Sequence, residues 1–117
     1  MSERFPKRER LRLKRDFENV FENGKVVQND FFVLFYTENG LGYPRLGIVV
    51  KRKFGKAWTR NKLKRWVREI FRRNKAKFKE GYDYVIIPRK KLSENFNRMD
   101  YWFVKRLIEE LLERVEA

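Results

Sequence analysis

The sequence contains no cysteine and no histidine. Without thiols or imidazoles there is no disulfide, no thiolate nucleophile, no zinc site built on Cys or His, no serine–histidine triad and no imidazole acid–base chemistry. Nothing in the chain requires an oxidising compartment. Proline is sparse, with three residues in 117, and glycine supplies six. No Ser/Pro-rich linker, internal repeat or low-complexity tract appears, and the length suits one compact domain, expected over residues 1–117 with residues 1–15 as a basic extended segment. No run of about eighteen apolar residues occurs, so no segment is expected to span a bilayer. The opening MSERFPKRERLRLKRD is basic but lacks the apolar stretch and small-residue cleavage site of a signal peptide, which predicts a soluble, cytoplasmic protein.

Acid is the other shortage. Sixteen Asp and Glu stand against thirty Lys and Arg, for a formal net charge of +14. With 42% hydrophobic and 16% aromatic residues the chain is too apolar to be a disordered polycation. It folds while carrying a field that costs self-repulsion, and an anionic partner is the natural reason to keep one. Nucleic acid is the leading class of partner, an anionic membrane surface the weaker. The charge is also concentrated: residues 51–75 hold twelve Lys or Arg and one acid, Glu69. Such a segment nearly lacks the Glu-to-Lys pairs, four residues apart, of a solvated helix face, so anion binding is the better reading. Many Lys, Arg and Glu with a single Gln also fit a heat-adapted source.

Along the chain, Asp16 is expected to cap a short helix with Phe17, Val20 and Phe21 on one face and Gly24 just past its end. Val26 to Thr37 reads as a strand, with Phe31, Val33 and Phe35 on one side and Phe32, Leu34 and Tyr36 on the other. The turn ENGLGYP leads to a second strand, Arg45–Arg52. After the loop Phe54-Gly55-Lys56-Ala57, Thr59 is the expected cap of a helix whose Leu63, Trp66, Val67, Ile70 and Phe71 form a buried stripe. Gly81 opens a strand, Tyr82–Ile87, stopped by Pro88. Ser93 or Asp100 begins a last helical stretch with a stripe of Val104, Leu107, Ile108, Leu111, Leu112 and Val115. The order helix, strands, helix, strand, helix predicts an α+β sandwich: a mixed sheet containing one parallel pair, with helices against one face.

Burial of one side of the basic helix, Arg60 to Arg73, leaves its cations to project together from the other. The preceding loop, Lys51-Arg52-Lys53-Phe54-Gly55-Lys56, adds cations and a flexible glycine near the helix N-terminus, where phosphate is favoured. Phe17, Phe21 and Phe35 are either stacking faces or ordinary core; Phe32 and Tyr36 read as core. A cation-lined groove with aromatic walls suits single-stranded nucleic acid, and RNA fits better than duplex DNA because no base-reading helix stands out. No catalytic constellation is present: carboxylates do not pair within a motif, and Glu69 is either a contributor to a metal site or a salt-bridge partner.

Arg60-Asn61-Lys62-Leu63-Lys64-Arg65-Trp66-Val67-Arg68-Glu69 resembles the R-N-x-x-K-R-x-x-R motif of the bacterial ribonuclease P protein family. The opening RERLRLKRDFENVFENGK, the segment RLGIVVKRKFGKAWTRN and GYDYVIIPRK are similar to that family too, so nearly the whole chain is covered, and heat-loving members look nearest. The resemblance implies a small α/β sandwich with a left-handed βαβ crossover, against the usual hand. It implies an accessory subunit of a ribonucleoprotein whose RNA removes the 5′ leader of precursor tRNA, with Mg²⁺ held chiefly by RNA and substrate. Arg60, Asn61, Lys62, Lys64, Arg65 and Arg68 would then dock on the RNA subunit, one protein per RNA. Phe17, Phe21, Phe35, Lys51, Arg52, Lys53 and Lys56 would line the cleft for the single-stranded leader, with no catalytic or metal-binding residue in the protein. The alternative is a ribosomal or ribosome-assembly protein; a membrane-surface binder and a protein-only nuclease are more distant.

Overall fold

The computed structural model describes residues 5–115. Four strands, β1 (Lys25–Gln28), β2 (Phe32–Glu38), β3 (Arg45–Ile48) and β4 (Tyr82–Pro88), form one sheet in the order β1-β2-β4-β3. The pairs β1–β2 and β2–β4 are antiparallel, and β3–β4 is the expected parallel pair, joined through the basic helix α2 (Ala57–Arg73). The other helices are α1 (Lys14–Asn23), α3 (Lys90–Asn95) and α4 (Tyr101–Glu113).

Alternation along β2 sorts its side chains as expected, but Phe31, expected beside Val33 and Phe35, lies before the strand and packs on the α4 side, its ring centroid 6.1 Å from that of Phe103. Phe32, Leu34 and Tyr36 are buried with Leu46, Tyr84 and Ile86 beneath Leu63, Val67, Ile70 and Phe71 of α2 and Val104, Ile108 and Leu111 of α4. Phe35 lies on the opposite face with Val85, Val49 and Ile87, against Phe17 and Val20 of α1 and Leu11. The expectation of helices on one face alone is therefore corrected: α1 covers the second. Both faces of β2 are apolar because both are roofed.

Local side-chain hydrogen bonds move several boundaries. The stretch expected as one strand, Val26 to Thr37, is a hairpin, because Asn29 Oδ1 accepts from the backbone N–H of Phe31 (2.9 Å) and Phe32 (2.8 Å) and folds the chain at that point. The second strand ends at Ile48 rather than Arg52, and a 3-10 turn, Arg52–Phe54, follows. Neither Asp16 nor Thr59 caps a helix: α1 begins after Leu13 and α2 after Lys56. Asp16 is turned instead to the Arg45 guanidinium at 3.5 Å. Of the two candidate starts for the last stretch, Asp100 caps α4 by accepting from Phe103 N–H, whereas Ser93 sits in α3 and donates to the Phe54 carbonyl at 2.8 Å.

At the end of α1 the chain reverses into β1 through Gly24, where a Cβ would lie 2.3 Å from the Val20 carbonyl oxygen and 2.9 Å from that of Tyr36. Only glycine lets the backbones approach this closely. The N-terminal segment makes a 3-10 turn at Lys7–Glu9, and Leu11 N–H donates to Leu46 O at 2.9 Å, so this segment runs beside β3 before entering α1. Glu9 is buried and paired with Lys75 at 2.7 Å.

Candidate nucleic-acid interface

The cations of the basic helix spread over a wide arc of its solvent side. With 100° between successive residues, the buried stripe of Leu63, Val67, Ile70 and Phe71 leaves Asn61, Lys62 and Arg65 on the arc facing away from the sheet. Asn61 and Arg65 are exposed. Lys62 lies over the half-buried Trp66, 5.0 Å from the ring centroid, and its position is thereby defined. Arg68 is exposed as well, about 20° from Asn61 around the axis, and half-buried Lys64 stands about 40° further toward the sheet. They line a cavity of about 230 Å³ together with Phe17, Gly47, Arg10 and Arg12. Arg60 is half-buried and donates to the Gly55 carbonyl at 2.6 Å, closing the glycine loop onto the helix.

Glu69, which the sequence left between metal ligand and ion pair, is an ion-pair partner. It accepts from Arg72 and, at 2.6 Å, from Arg73. These hydrogen bonds, Arg72's first, hold its carboxyl down at about 2. No group of three or more acidic side chains placed to hold a metal ion occurs among the described residues.

The sheet face under α1 supplies the aromatics. Phe21 is 40% exposed and meets half-buried Phe35 edge-on, ring centroids 5.1 Å apart. Phe17 lies over Gly47 so closely that a Cβ there would stand 2.6 Å from the ring. A ten-residue helix is about 15 Å long and 10 Å wide, too small to roof a four-stranded face whose longest strands run about 23 Å. Phe35, Val49 and Ile87 therefore stay half-open. α1 is fastened by Arg45, which bonds both carboxylate oxygens of buried Asp83 at 2.8 and 2.7 Å while also facing Asp16.

Lys51, Arg52, Lys53 and Lys56 are all exposed in the glycine loop where β3 gives way to α2. Lys51 and Lys53 border a cavity of about 510 Å³ floored by Phe54, Ile87 and Pro88, with Arg89 and Lys90 across from them. Arg89 and Lys90 were missed as candidates, because Pro88 reads only as a strand stop; a basic pair directly after an apolar strand was the available signal. Arg10 and Arg12 were counted in the basic N-terminus but not as site residues. Their placement depends on the Arg10–Leu46 bridge to β3, which no local pattern encodes.

A small α+β domain with a basic helix beside a half-roofed aromatic sheet has the surface of a polyanion binder, and it is of the RNA-binding class. The family model for ribonuclease P matches residues 5–116, and the chain belongs to the ribonuclease P protein family. It is accordingly the protein subunit of that endoribonuclease, a tRNA-processing ribonucleoprotein, and its partner is ribonuclease P RNA. It is 62% identical to the ribonuclease P protein component of Thermotoga maritima over the full length of both chains. It is 50% identical to that of Petrotoga mobilis over 97% of this chain and 96% of the relative. The solved structure of the Thermotoga maritima protein superposes with a TM-score of 0.87 at 61% identity, covering 93% of this chain and 99% of that one. A Staphylococcus aureus ribonuclease P protein superposes with a TM-score of 0.80 at 30% identity, covering 90% and 93%. Nothing in these similarities favours the ribosomal alternative. No helix among the described residues is long and apolar enough to cross a membrane.

Proposed function

We propose that this subunit binds the single-stranded 5′ leader of precursor tRNA on its half-roofed sheet face while α2 docks on the RNA subunit, one protein per RNA, in the cytoplasm where precursor tRNA is made. The leader would stack on Phe17, Phe21 and Phe35, its phosphates neutralised by Lys51, Arg52, Lys53 and Lys56. Asn61, Lys62 and Arg65, with Lys64, Arg68 and Arg60 behind them, would meet phosphates of the RNA subunit. The single observation carrying this reading is that Lys64 and Arg68 of the motif share a cavity with Phe17, so the two RNA strands would converge at one seam.

Mg²⁺ supplies an activated water and stabilises the leaving oxygen in hydrolysis of this kind. Among the described residues no three acids are placed together as a seat for it, and Glu69 is engaged by two arginines and Asp83 by Arg45. The RNA and the substrate would hold the metal. What the protein contributes is neutralisation of phosphate repulsion, which raises substrate affinity and lowers the Mg²⁺ the RNA requires.

The test is reconstitution at low Mg²⁺ with a bacterial ribonuclease P RNA and a precursor tRNA. A single cut at the leader junction that needs both components is expected; no stimulation by a folded, RNA-bound protein would overturn the reading. Phe17→Ala should weaken binding of leader-bearing precursor more than of mature tRNA. Equal loss for both would remove Phe17 from the leader path.

A further inference from the structure

We propose that Trp58 is an RNA-docking residue in its own right, its indole stacking on an unpaired base of the ribonuclease P RNA beside the phosphates met by Asn61, Lys62 and Arg65. Trp58 is 67% exposed, the most exposed large apolar side chain among the described residues. Its ring contacts no other ring and no cation of the described chain, unlike Trp66, which packs on Phe96 at 5.1 Å and carries Lys62 above it. Position 58 lies three, four and seven residues before Asn61, Lys62 and Arg65, so all four side chains share the arc that faces away from the core.

Charge decides the occupant. The arc around the indole carries Lys62 and Arg65 as cations, with Glu69 consumed by Arg72 and Arg73. A second copy of a +14 chain would be repelled from it. A bilayer surface needs a broad apolar face, whereas the apolar stripe of α2 is spent on the core and leaves one indole. A polyanion with splayed bases satisfies both parts of the surface: phosphates pair with the cations and a base covers the ring. A fixed aromatic there also does what a cation cannot. Phosphate contacts tolerate sliding along a strand, while a stacked base selects a point where the RNA is unpaired and so sets the register of docking.

The inference rests on α2 being the docking face, and the experiment separates the two claims. Affinity for a bacterial ribonuclease P RNA is measured against salt for the full chain and for Trp58→Ala, Trp58→Phe and Arg65→Ala. Trp58→Ala should lose about five- to a hundredfold in affinity, the range that base–aromatic stacking covers, with an unchanged salt slope. Trp58→Phe should recover most of it. Arg65→Ala should lower the logarithmic slope by about 0.7 to 0.9, one phosphate contact. In a Trp66→Phe, Trp102→Phe background, Trp58 emission should be quenched when the RNA binds. If Arg65→Ala loses affinity while Trp58→Ala binds like the parent, or if emission is unaltered by RNA, the stacking role is refuted and the docking face stands. If Arg65→Ala changes neither affinity nor slope, the docking face itself falls.

Discussion

Gly47 lies beneath Phe17, and exchanging it for alanine tests whether the aromatic wall is held by the sheet. The added Cβ would come within 2.6 and 2.7 Å of the Phe17 ring and 3.1 Å of Leu11 Cβ. Gly47 does not occupy the left-handed region, so backbone strain plays no part. The Phe17 ring tip can swing outward, but Leu11 is tied to Leu46 by a 2.9 Å backbone hydrogen bond and gives less easily. Overpacking of this kind costs about 1–3 kcal/mol, and alanine returns about 0.4–1 kcal/mol by narrowing the unfolded ensemble. The net expectation is a loss of about 1–2 kcal/mol, or about 4–8 °C in Tm for a domain of this size.

The decisive comparison is a cycle with Phe17→Ala, followed by urea unfolding. With the ring gone its space accepts the methyl group, so Gly47→Ala should become neutral or slightly stabilising in that background, a coupling of at least about 1 kcal/mol. Additivity within about 0.5 kcal/mol would mean that Phe17 does not rest on Gly47 and that the geometry assigned to this seam is wrong. Binding supplies a second readout. Gly47→Ala should weaken leader-bearing precursor over mature tRNA by displacing the ring, and should add nothing to the Phe17→Ala variant.

Two further expectations follow from the charge network. Arg45→Ala leaves the carboxylate of Asp83, 2% exposed, with Asn39 at 2.9 Å as its remaining side-chain partner, and should cost about 3–5 kcal/mol in urea unfolding; a loss below about 1 kcal/mol would refute its role in fastening α1 and the sheet. The Glu69 carboxyl titrates at about 2 in the folded protein against an ordinary value of 4.5, so its contribution is complete above about pH 4.5 and disappears as pH falls toward 2. Glu69→Gln should flatten the acid limb of stability in that window and leave the neutral range unaltered in slope; an unchanged acid limb would show that Arg72 and Arg73 do not hold it.

The parts of the fold that were legible were those written in a long period. Leu63 to Phe71 and Val104 to Leu111 repeat over enough turns to announce two core helices, and the alternation from Phe32 to Tyr36 separates Phe35 from its neighbours correctly. What escaped was decided by one side chain or by distance in space. Asn29 breaks a strand by an Asx turn that competes with an uninterrupted run of β-forming residues around it. The six residues of α3 are too few to show a period. Asp16 was read as a cap because its type is common there, yet the guanidinium of Arg45, 29 positions away, claims it. The cations of the site were visible as a composition, while which of them meet α1 and the N-terminal segment was not, since that depends on which neighbours the helix leans against.

Helix geometry sets only how the motif residues are spaced round the axis. Side chains at 60, 64 and 68 step round the helix by about 40° each, from the edge of the core stripe at 60 to within about 20° of Asn61 at 68, while 58, 61, 62 and 65 span the far arc. Arg60 closes the glycine loop, Lys64 and Arg68 reach the seam with Phe17, and Asn61, Lys62 and Arg65 look outward. The arginine motif thus runs from the glycine loop past the seam with Phe17 to the outward arc. Glu69 is engaged by Arg72 and Arg73, and Asp83 by Arg45, which leaves the cations of α2 and its loop to define the field that the RNA partner meets.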